Sequence, residues 1–153
     1  MNLIDSLKEN NSIRIKQVAN TWEEAVAECI KPLIEAGSVE KRYLDAIIEK
    51  THELGPFYIL APGVAMPHDR PESGVIKDSF SFVTLKNEVT FPDGQKVDIL
   101  VGLAATSADI HNSEAIPQIV ELFDDEDSFE KIRNAKSVEE LIAIISKKQN
   151  YKI

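Results

Sequence analysis

The hydrophobic and polar positions of the chain follow two kinds of pattern, one typical of strands and one typical of helices. Runs that alternate or are continuously apolar predict five strands, at residues 13–18, 57–61, 64–66, 79–85 and 97–105. The last of these runs is nearly all apolar, so we expect it to lie in the middle of a sheet. Turn-forming residues at 90–95 predict a surface loop.

Apolar residues at helical spacing predict two helices between the first two strands. Thr21 caps the first helix and Gly37 ends it, while Pro32 is expected to kink or interrupt it. Ser38 caps the second helix, and Gly55 ends it.

Three more helices are predicted in the last third of the chain. The first begins near Ser113, shortly after His111. The second is centred near Phe129, and the third begins at a cap formed by Ser137. The apolar face of the first would comprise Ile116, Ile119, Val120 and Phe123. We expect residues 147–153 to fray.

Composition agrees with one folded unit. The chain has 153 residues, of which 43% are hydrophobic and 28% charged, and its strands and helices interleave, which predicts a single layered α/β domain over residues 1–153. Cys29 is the only cysteine, so an internal disulfide is excluded and a reducing cytoplasm is expected. The first nine residues mix apolar and charged groups, so no export signal is expected. No apolar run approaches the roughly 18 residues of a membrane-spanning helix.

The charge balance argues against nucleic acid as a partner. With 26 acidic and 17 basic residues, the formal net charge is -9, which repels a phosphate backbone. Solubility is the simplest role for this charge.

The three histidines are the main candidates for chemistry, and their surroundings differ. His52 lies near the end of the second predicted helix, where an imidazole interacts favourably with the helix C-terminus, so a structural role is expected. His68 directly follows a strand, and Pro67 and Pro71 restrict the backbone around it. A neutral imidazole held in this way is a good nucleophile near pH 7 and could carry a phosphoryl group. The plain alternative is a local hydrogen bond in a turn.

Arg70 and His111 are the candidate partners of His68. Arg70 is two positions away and offers a planar set of donors for phosphoryl oxygens, although a surface ion pair with Asp69 or Glu72 is equally compatible. His111 follows the central strand at its carboxyl end, where α/β sheets often bind ligands, and could donate an N–H to a phosphoryl oxygen.

Several apolar residues near His68 have two interpretations. Phe57, Tyr58 and Leu60 are expected in the core, whereas Met66 and Pro67 could form an apolar rim that docks a protein. The sequence contains no glycine-rich phosphate loop, nucleophile elbow or zinc-type Cys/His spacing, so we expect neither a cofactor nor a metal.

The run from Ala61 to Val75, APGVAMPHDRPESGV, resembles the active-site segment of mannitol/fructose-type EIIA domains of the bacterial phosphoenolpyruvate-dependent sugar phosphotransferase system (PTS). The similarity is strongest to the ascorbate-specific branch. It extends through residues 43–47, residues 97–105 and His111, and so covers nearly the whole chain.

The resemblance implies a fold, a reaction and partners. The fold would be a three-layer domain with a mixed sheet flanked by helices on both faces. His68 would accept a phosphoryl group from the phosphocarrier protein HPr and pass it to a cysteine of the EIIB component, with His111 in support. The membrane component EIIC would take part indirectly and would select the sugar, so ascorbate is an expectation at the level of the branch.

The chain departs from mannitol-type members at two positions. Lys50 stands where they carry arginine, so we assign the balancing of phosphoryl charge to Arg70, with Lys50 in reserve. Pro117 stands where an aliphatic residue is usual in the helix after His111.

Two other functions fit the same residues. One is a regulatory phosphorylation sensor that keeps the fold without passing the group onward. The other is a metal hydrolase in which His68 and His111 bind zinc with Asp69 or Asp109.

Overall fold

The computed structural model describes residues 1–151 and contains one five-stranded mixed sheet. The strands are β1 (Ile13–Gln17), β2 (Ile59–Ala61), β3 (Gly63–Ala65), β4 (Ser79–Thr90) and β5 (Lys96–Ala104), in the order β1-β4-β5-β3-β2. β5 runs antiparallel to β4 and parallel to β3, β1 runs parallel to β4, and β2 runs antiparallel to β3. The expected central position of β5 is therefore confirmed.

Within residues 1–151, six α-helices cover the sheet. They are α1 (Leu3–Asn10), α2 (Trp22–Glu35), α3 (Lys41–Leu54), α4 (Ile116–Leu122), α5 (Glu126–Asn134) and α6 (Val138–Lys148). Helix α1 was not predicted, although Asn2 caps it and Leu3, Ile4 and Leu7 are buried on one face. No helix within residues 1–151 is long and apolar enough to cross a membrane.

The sheet separates two hydrophobic cores, as the three-layer prediction requires. Alternate residues of β5 point to opposite faces. Ile99, Val101 and Leu103 pack in the core shared with α1 and α4–α6, whereas Leu100 and Ala104 pack in the core shared with α2 and α3. The predicted mixed sheet with helices on both faces is thus confirmed.

Helix α2 lies close to β5 at Gly102. A Cβ atom at this position would lie 2.2 Å from Ser81 Oγ and 3.0 Å from Cys29 Sγ. The Ser81 hydroxyl donates to the Cys29 carbonyl over 2.6 Å, which ties β4 to the helix. The contact requires the absence of a side chain at Gly102.

The predicted interruption of α2 at Pro32 and the predicted Ser38 cap of α3 are wrong. Pro32 does not interrupt α2, which continues to Glu35; the proline is buried, and its packing outweighs the hydrogen bond that its missing N–H would make. Ser38 does not cap α3, because its hydroxyl bonds Ser79 Oγ over 2.7 Å and the helix starts at Lys41. Thr21 and Gly55 occupy the predicted helix ends.

The C-terminal helices and the loop between β4 and β5 differ from prediction in three details. Val120, placed on the apolar face, is 56% exposed. The predicted fraying from residue 147 is wrong for the described part, because Lys147 and Lys148 are helical and the Tyr151 hydroxyl bonds Asp5; residues 152 and 153 lie outside the described residues. In the predicted surface loop, Phe91 is buried.

Candidate active site

His68 lies just beyond the end of β3, beside the end of β5. The parallel pairing of the two strands continues past β3, since Leu103 N–H donates to the Pro67 carbonyl over 3.2 Å. Pro67 and Met66 are buried, while His68 is only partly covered. The backbone before His68 is therefore part of the sheet, and the imidazole stands at its edge.

The tautomer of His68 is set by its own backbone. Nδ1 lies 2.6 Å from the Met66 carbonyl oxygen, which can only accept, so Nδ1 carries the proton and donates. Burial lowers the pKa of His68 below its ordinary value, and the charge of His111 adds to this, against the opposing effects of Met66 and Asp69. His68 is thus neutral at pH 7, with the lone pair on Nε2.

His111 is brought against His68. The two ring centroids lie 4.7 Å apart with planes tilted by 51°, so the expected meeting of the two segments occurs. Partial burial lowers the pKa of His111 as well. Both imidazole rings are therefore neutral at pH 7, so there is no charge repulsion between them.

The prediction that His111 precedes a helix is wrong, because His111 lies inside one. It belongs to a π-helical segment, Ile110–Ala115, in which Ile116 N–H donates to the His111 carbonyl. Pro117 has no N–H for the regular α-helical ladder, which gives a physical reason for the wider turn directly before it. Ser107 fixes the start of the segment, since its Oγ accepts from Ile110 N–H over 3.2 Å.

The side chain of Asp69, next to His68, accepts three hydrogen bonds. Its Oδ1 accepts from Lys50 Nζ over 2.5 Å and from Arg70 N–H over 2.8 Å, and its Oδ2 accepts from Ser73 Oγ over 2.9 Å. Desolvation raises the pKa of Asp69, but these hydrogen bonds outweigh it and hold the pKa below its usual value. Sequence reasoning missed this network, because Lys50 is 19 positions away.

Tyr43 clamps the His68 segment to β5. Its buried hydroxyl donates to the Leu103 carbonyl over 2.7 Å and accepts from Asp69 N–H over 2.8 Å. Burial raises the pKa of Tyr43 above its ordinary value, so the phenol remains a donor across the physiological range. The segment is held from both sides of His68.

Arg70 is exposed at the mouth of the cleft. Within residues 1–151 its guanidinium forms no ion pair, so the predicted alternative of a surface pair with Asp69 or Glu72 does not occur. The cleft has a volume of about 270 Å³ and is lined by Phe57, His68, Asp69, Arg70, Pro71, Ala105, Ser107, Ala108, His111 and Asn112. All three predicted site residues thus share one cleft.

For four apolar residues near His68, the observed burial is the reverse of the predicted burial. Met66 and Pro67, expected at the rim, are buried, whereas Phe57 and Leu60, expected in the core, are 45% and 41% exposed. The Phe57 ring meets His68 edge-on with centroids 5.6 Å apart. Tyr58 is buried as expected.

His52 stands apart from the cleft. Its exposed ring lies 5.0 Å from that of Trp22, edge to face, and its Nε2 is 4.0 Å from a carboxylate oxygen of Glu23. These contacts join α3 to α2, as the structural interpretation of this histidine expects.

The arrangement suits a phosphoryl group better than a metal ion. In the part of the chain that the structure describes, no group of three or more His, Cys, Asp and Glu side chains is placed to hold a metal. Asp69 is occupied by Lys50, Ser73 and a backbone N–H. An unprotonated imidazole nitrogen beside a second imidazole and an unpaired guanidinium can accept a phosphoryl group and balance its charge.

Comparison with known proteins agrees with this class. Residues 6–148 match the family model described as "Phosphoenolpyruvate-dependent sugar phosphotransferase system, EIIA 2". The chain belongs to this family. It is a phosphotransferase component of the EIIA type, and the resemblance stated from its motifs is confirmed.

Individual relatives extend the similarity over the whole chain. An ascorbate-specific PTS system EIIA component from Salmonella choleraesuis is 46% identical over 149 residues, which cover 96% of this chain and 97% of the relative. A crystal structure assigned to a PTS IIA (PtxA) from Streptococcus mutans is similar with a TM-score of 0.95 and 51% identity, covering 98% of this chain and 96% of that one. The IIA protein in a complex with phosphorylated enzyme IIB for mannitol, from Escherichia coli, is similar with a TM-score of 0.76 and 26% identity, covering 91% and 95%.

Proposed function

We propose that His68 Nε2 is the phosphoryl acceptor of this EIIA component, taking the group from HPr and passing it to a cysteine of EIIB. The observation that carries the proposal is the hydrogen bond from His68 Nδ1 to the Met66 carbonyl, which leaves Nε2 unprotonated. Because burial also lowers the pKa of His68, the nucleophile needs no base to remove a proton at pH 7.

Each of the two transfer steps forms one bond to phosphorus and breaks another. As Nε2 shares its lone pair with phosphorus, the bond to the donor breaks and the donor recovers its electron pair. The ring gains positive charge, which the Met66 carbonyl stabilises through the Nδ1 proton. In the second step a cysteine thiolate attacks phosphorus, the P–N bond breaks, and the lone pair returns to Nε2.

Arg70 and His111 are proposed to stabilise the phosphoryl oxygens during transfer. Arg70 is suited to this because its guanidinium is exposed and unpaired within the described residues. His111 is suited because its ring lies against that of His68 and can offer an N–H to an oxygen on phosphorus.

The first experiment tests the acceptor. Incubation with phosphoenolpyruvate, enzyme I and HPr should place one acid-labile phosphoryl group on the chain, and His68→Ala should abolish it. His52→Ala is the matched control, because it removes an imidazole that lies outside the cleft, and it should label like the parent. Equal labelling of the parent and His68→Ala would show that another residue is the acceptor.

The partner and the sugar are proposed from the relatives. The ascorbate-specific name of a relative at 46% identity supports ascorbate, and the complex of a related IIA with phosphorylated IIB supports transfer to EIIB. The labelled chain should lose its group within seconds to an ascorbate-type EIIB and more slowly to a mannitol-type EIIB. Retention of the label with both would instead indicate a sensor. The cytoplasm is the proposed location, which the single buried thiol, Cys29, suits.

A further inference from the structure

The ion pair between Lys50 and Asp69 includes the residue that directly follows the proposed nucleophile in the chain. Lys50 comes from the last turns of α3, and Asp69 adjoins His68 in the chain. Their atoms Nζ and Oδ1 are 2.5 Å apart, and the side chains are 29% and 4% exposed. Asp69 is therefore largely shielded from water and Lys50 partly so, and charges shielded in this way interact more strongly than charges at the surface.

Asp69 is held in the ionised form and has little freedom to release Lys50. Both of its oxygens accept hydrogen bonds, from Lys50, from Arg70 N–H and from the Ser73 hydroxyl. Among these donors, Lys50 is the only cation. A buried carboxylate that lost it would remain as an uncompensated charge, which is strongly unfavourable.

The two members of the pair act on His68 with opposite sign. Lys50 lowers the pKa of His68, whereas Asp69 raises it, so the two charges oppose each other in their effect on His68. Arg70, by contrast, has no anionic partner within residues 1–151. The site therefore holds one cation that is free to meet a phosphoryl group and one that is not.

We propose that Asp69 is a positioning residue that holds Lys50 in a closed ion pair, so that the ammonium does not retain the phosphoryl group on His68. This inference rests on the proposed function. A phosphoryl group carries up to two negative charges, and an unpaired ammonium beside it would stabilise the phosphorylated state. Transfer to a thiolate would then become slower and less complete. By pairing Lys50, Asp69 keeps the group easy to pass on.

The test is a double-mutant cycle on the full chain. Asp69→Asn removes the negative charge with little change of shape, Lys50→Met removes the positive charge and keeps the apolar stem, and the double variant removes both. Two quantities are measured: the pKa of His68 by NMR titration of the unphosphorylated chain, and the lifetime and EIIB-transfer equilibrium of phosphorylated His68.

The expected results have opposite signs for the two single variants. Asp69→Asn should lower the pKa of His68, lengthen the lifetime of the phosphorylated chain about threefold or more, and shift the equilibrium away from EIIB. Lys50→Met should raise the pKa of His68 and shorten the lifetime. The double variant should return to within about twofold of the parent in lifetime.

Ser73→Ala is the control for a purely structural role, since it removes one hydrogen bond to the same carboxylate without changing charge. It should leave the lifetime unchanged. If Asp69→Asn fails to fold, Lys50→Met and Lys50→Arg carry the test, and Lys50→Arg should restore the parent values.

Three results would overturn the proposal: single variants that shift lifetime in the same direction, a double variant that behaves like Asp69→Asn, or Ser73→Ala with the lifetime of Asp69→Asn. Failure of the proposed function would be recognised by a different observation from these three. If the parent chain takes no phosphoryl group on His68, the acceptor assignment is wrong, while the NMR titrations still decide whether the two charges act on His68 as a compensated pair.

Discussion

Removing the hydroxyl of Tyr43 tests whether the tyrosine clamp is what holds the His68 segment in place. In Tyr43→Phe, the buried Asp69 N–H loses its acceptor and the Leu103 carbonyl loses its donor. An unsatisfied buried polar group costs about 1–3 kcal/mol, so we expect a loss of about 2–4 kcal/mol in the free energy of unfolding. Because domains of this size are stable by about 5–15 kcal/mol, the variant should remain folded and can be assayed.

The functional effect should exceed the effect on stability. With the clamp gone, the segment that carries His68 is no longer tied to β5 at Asp69, and a small displacement of a nucleophile costs about tenfold or more in rate. We expect the rate of phosphorylation by HPr to fall by that factor. Urea unfolding measures the stability, and labelling at several times measures the rate.

Tyr58→Phe is the matched control. Tyr58 is also buried, and its hydroxyl lies 2.8 Å from Thr51 Oγ1, away from the cleft. This variant should lose about 1 kcal/mol of stability and label at the parent rate. If Tyr43→Phe is no less stable than Tyr58→Phe and labels as fast as the parent, the clamp is not required and the reasoning fails.

Three further predictions concern pH, packing and charge. Because the pKa of His68 lies below its ordinary value of 6.5, the unfolded chain binds more protons, so the stability that this group contributes is complete above about pH 7 and falls as the pH drops through and below 6.5. His68→Gln should flatten this fall in urea titrations, and an unchanged slope would refute the assignment. Gly102→Ala places a methyl group 2.2 Å from Ser81 Oγ and should cost about 3 kcal/mol in thermal unfolding, part of which Ser81→Ala should restore; a loss below about 1 kcal/mol would contradict the close approach. Arg70→Gln should slow labelling by about tenfold, whereas Arg14→Gln, on the outer strand β1, should not; equal rates would remove Arg70 from the site.

The strands were predictable because their signal is local. Alternating or continuously apolar runs were enough to identify the strands, and the apolar character of β5 identified its central position. The order of the strands is not local information. That His111 meets His68 depends on β3 lying parallel beside β5. The expectation came from the place of His111 after the carboxyl end of the predicted central strand, and the resemblance to a family supported it.

Some predictions from local sequence preferences failed because tertiary contacts outweighed those preferences. Pro32 lies within α2 because it is buried near the helix end, and Ser38 bonds Ser79 across the chain instead of capping α3. The reversal of Phe57 and Met66 has a similar origin. β2 and β3 are three residues long, and such short runs do not reveal which side chains face the core.

The supporting residues of the site were the hardest to predict. Lys50 and Tyr43 contact Asp69 from positions 19 and 26 residues earlier in the chain. Nothing in the composition of α3 indicates that these two side chains point to the same carboxyl-terminal edge of the sheet. Asp69 adjoins His68, and a carboxylate held between two prolines is the one signal that could have suggested a buried partner.

The opening of His68 Nε2 onto a single cleft has a kinetic consequence. A donor and an acceptor of the phosphoryl group must both reach the same nitrogen from the same side, so they exclude each other and no ternary complex can carry the transfer. Each cycle therefore includes two separate encounters and two dissociations. Under the proposed function, a partner that stays bound blocks the next encounter, so tighter binding that slows dissociation lengthens each cycle.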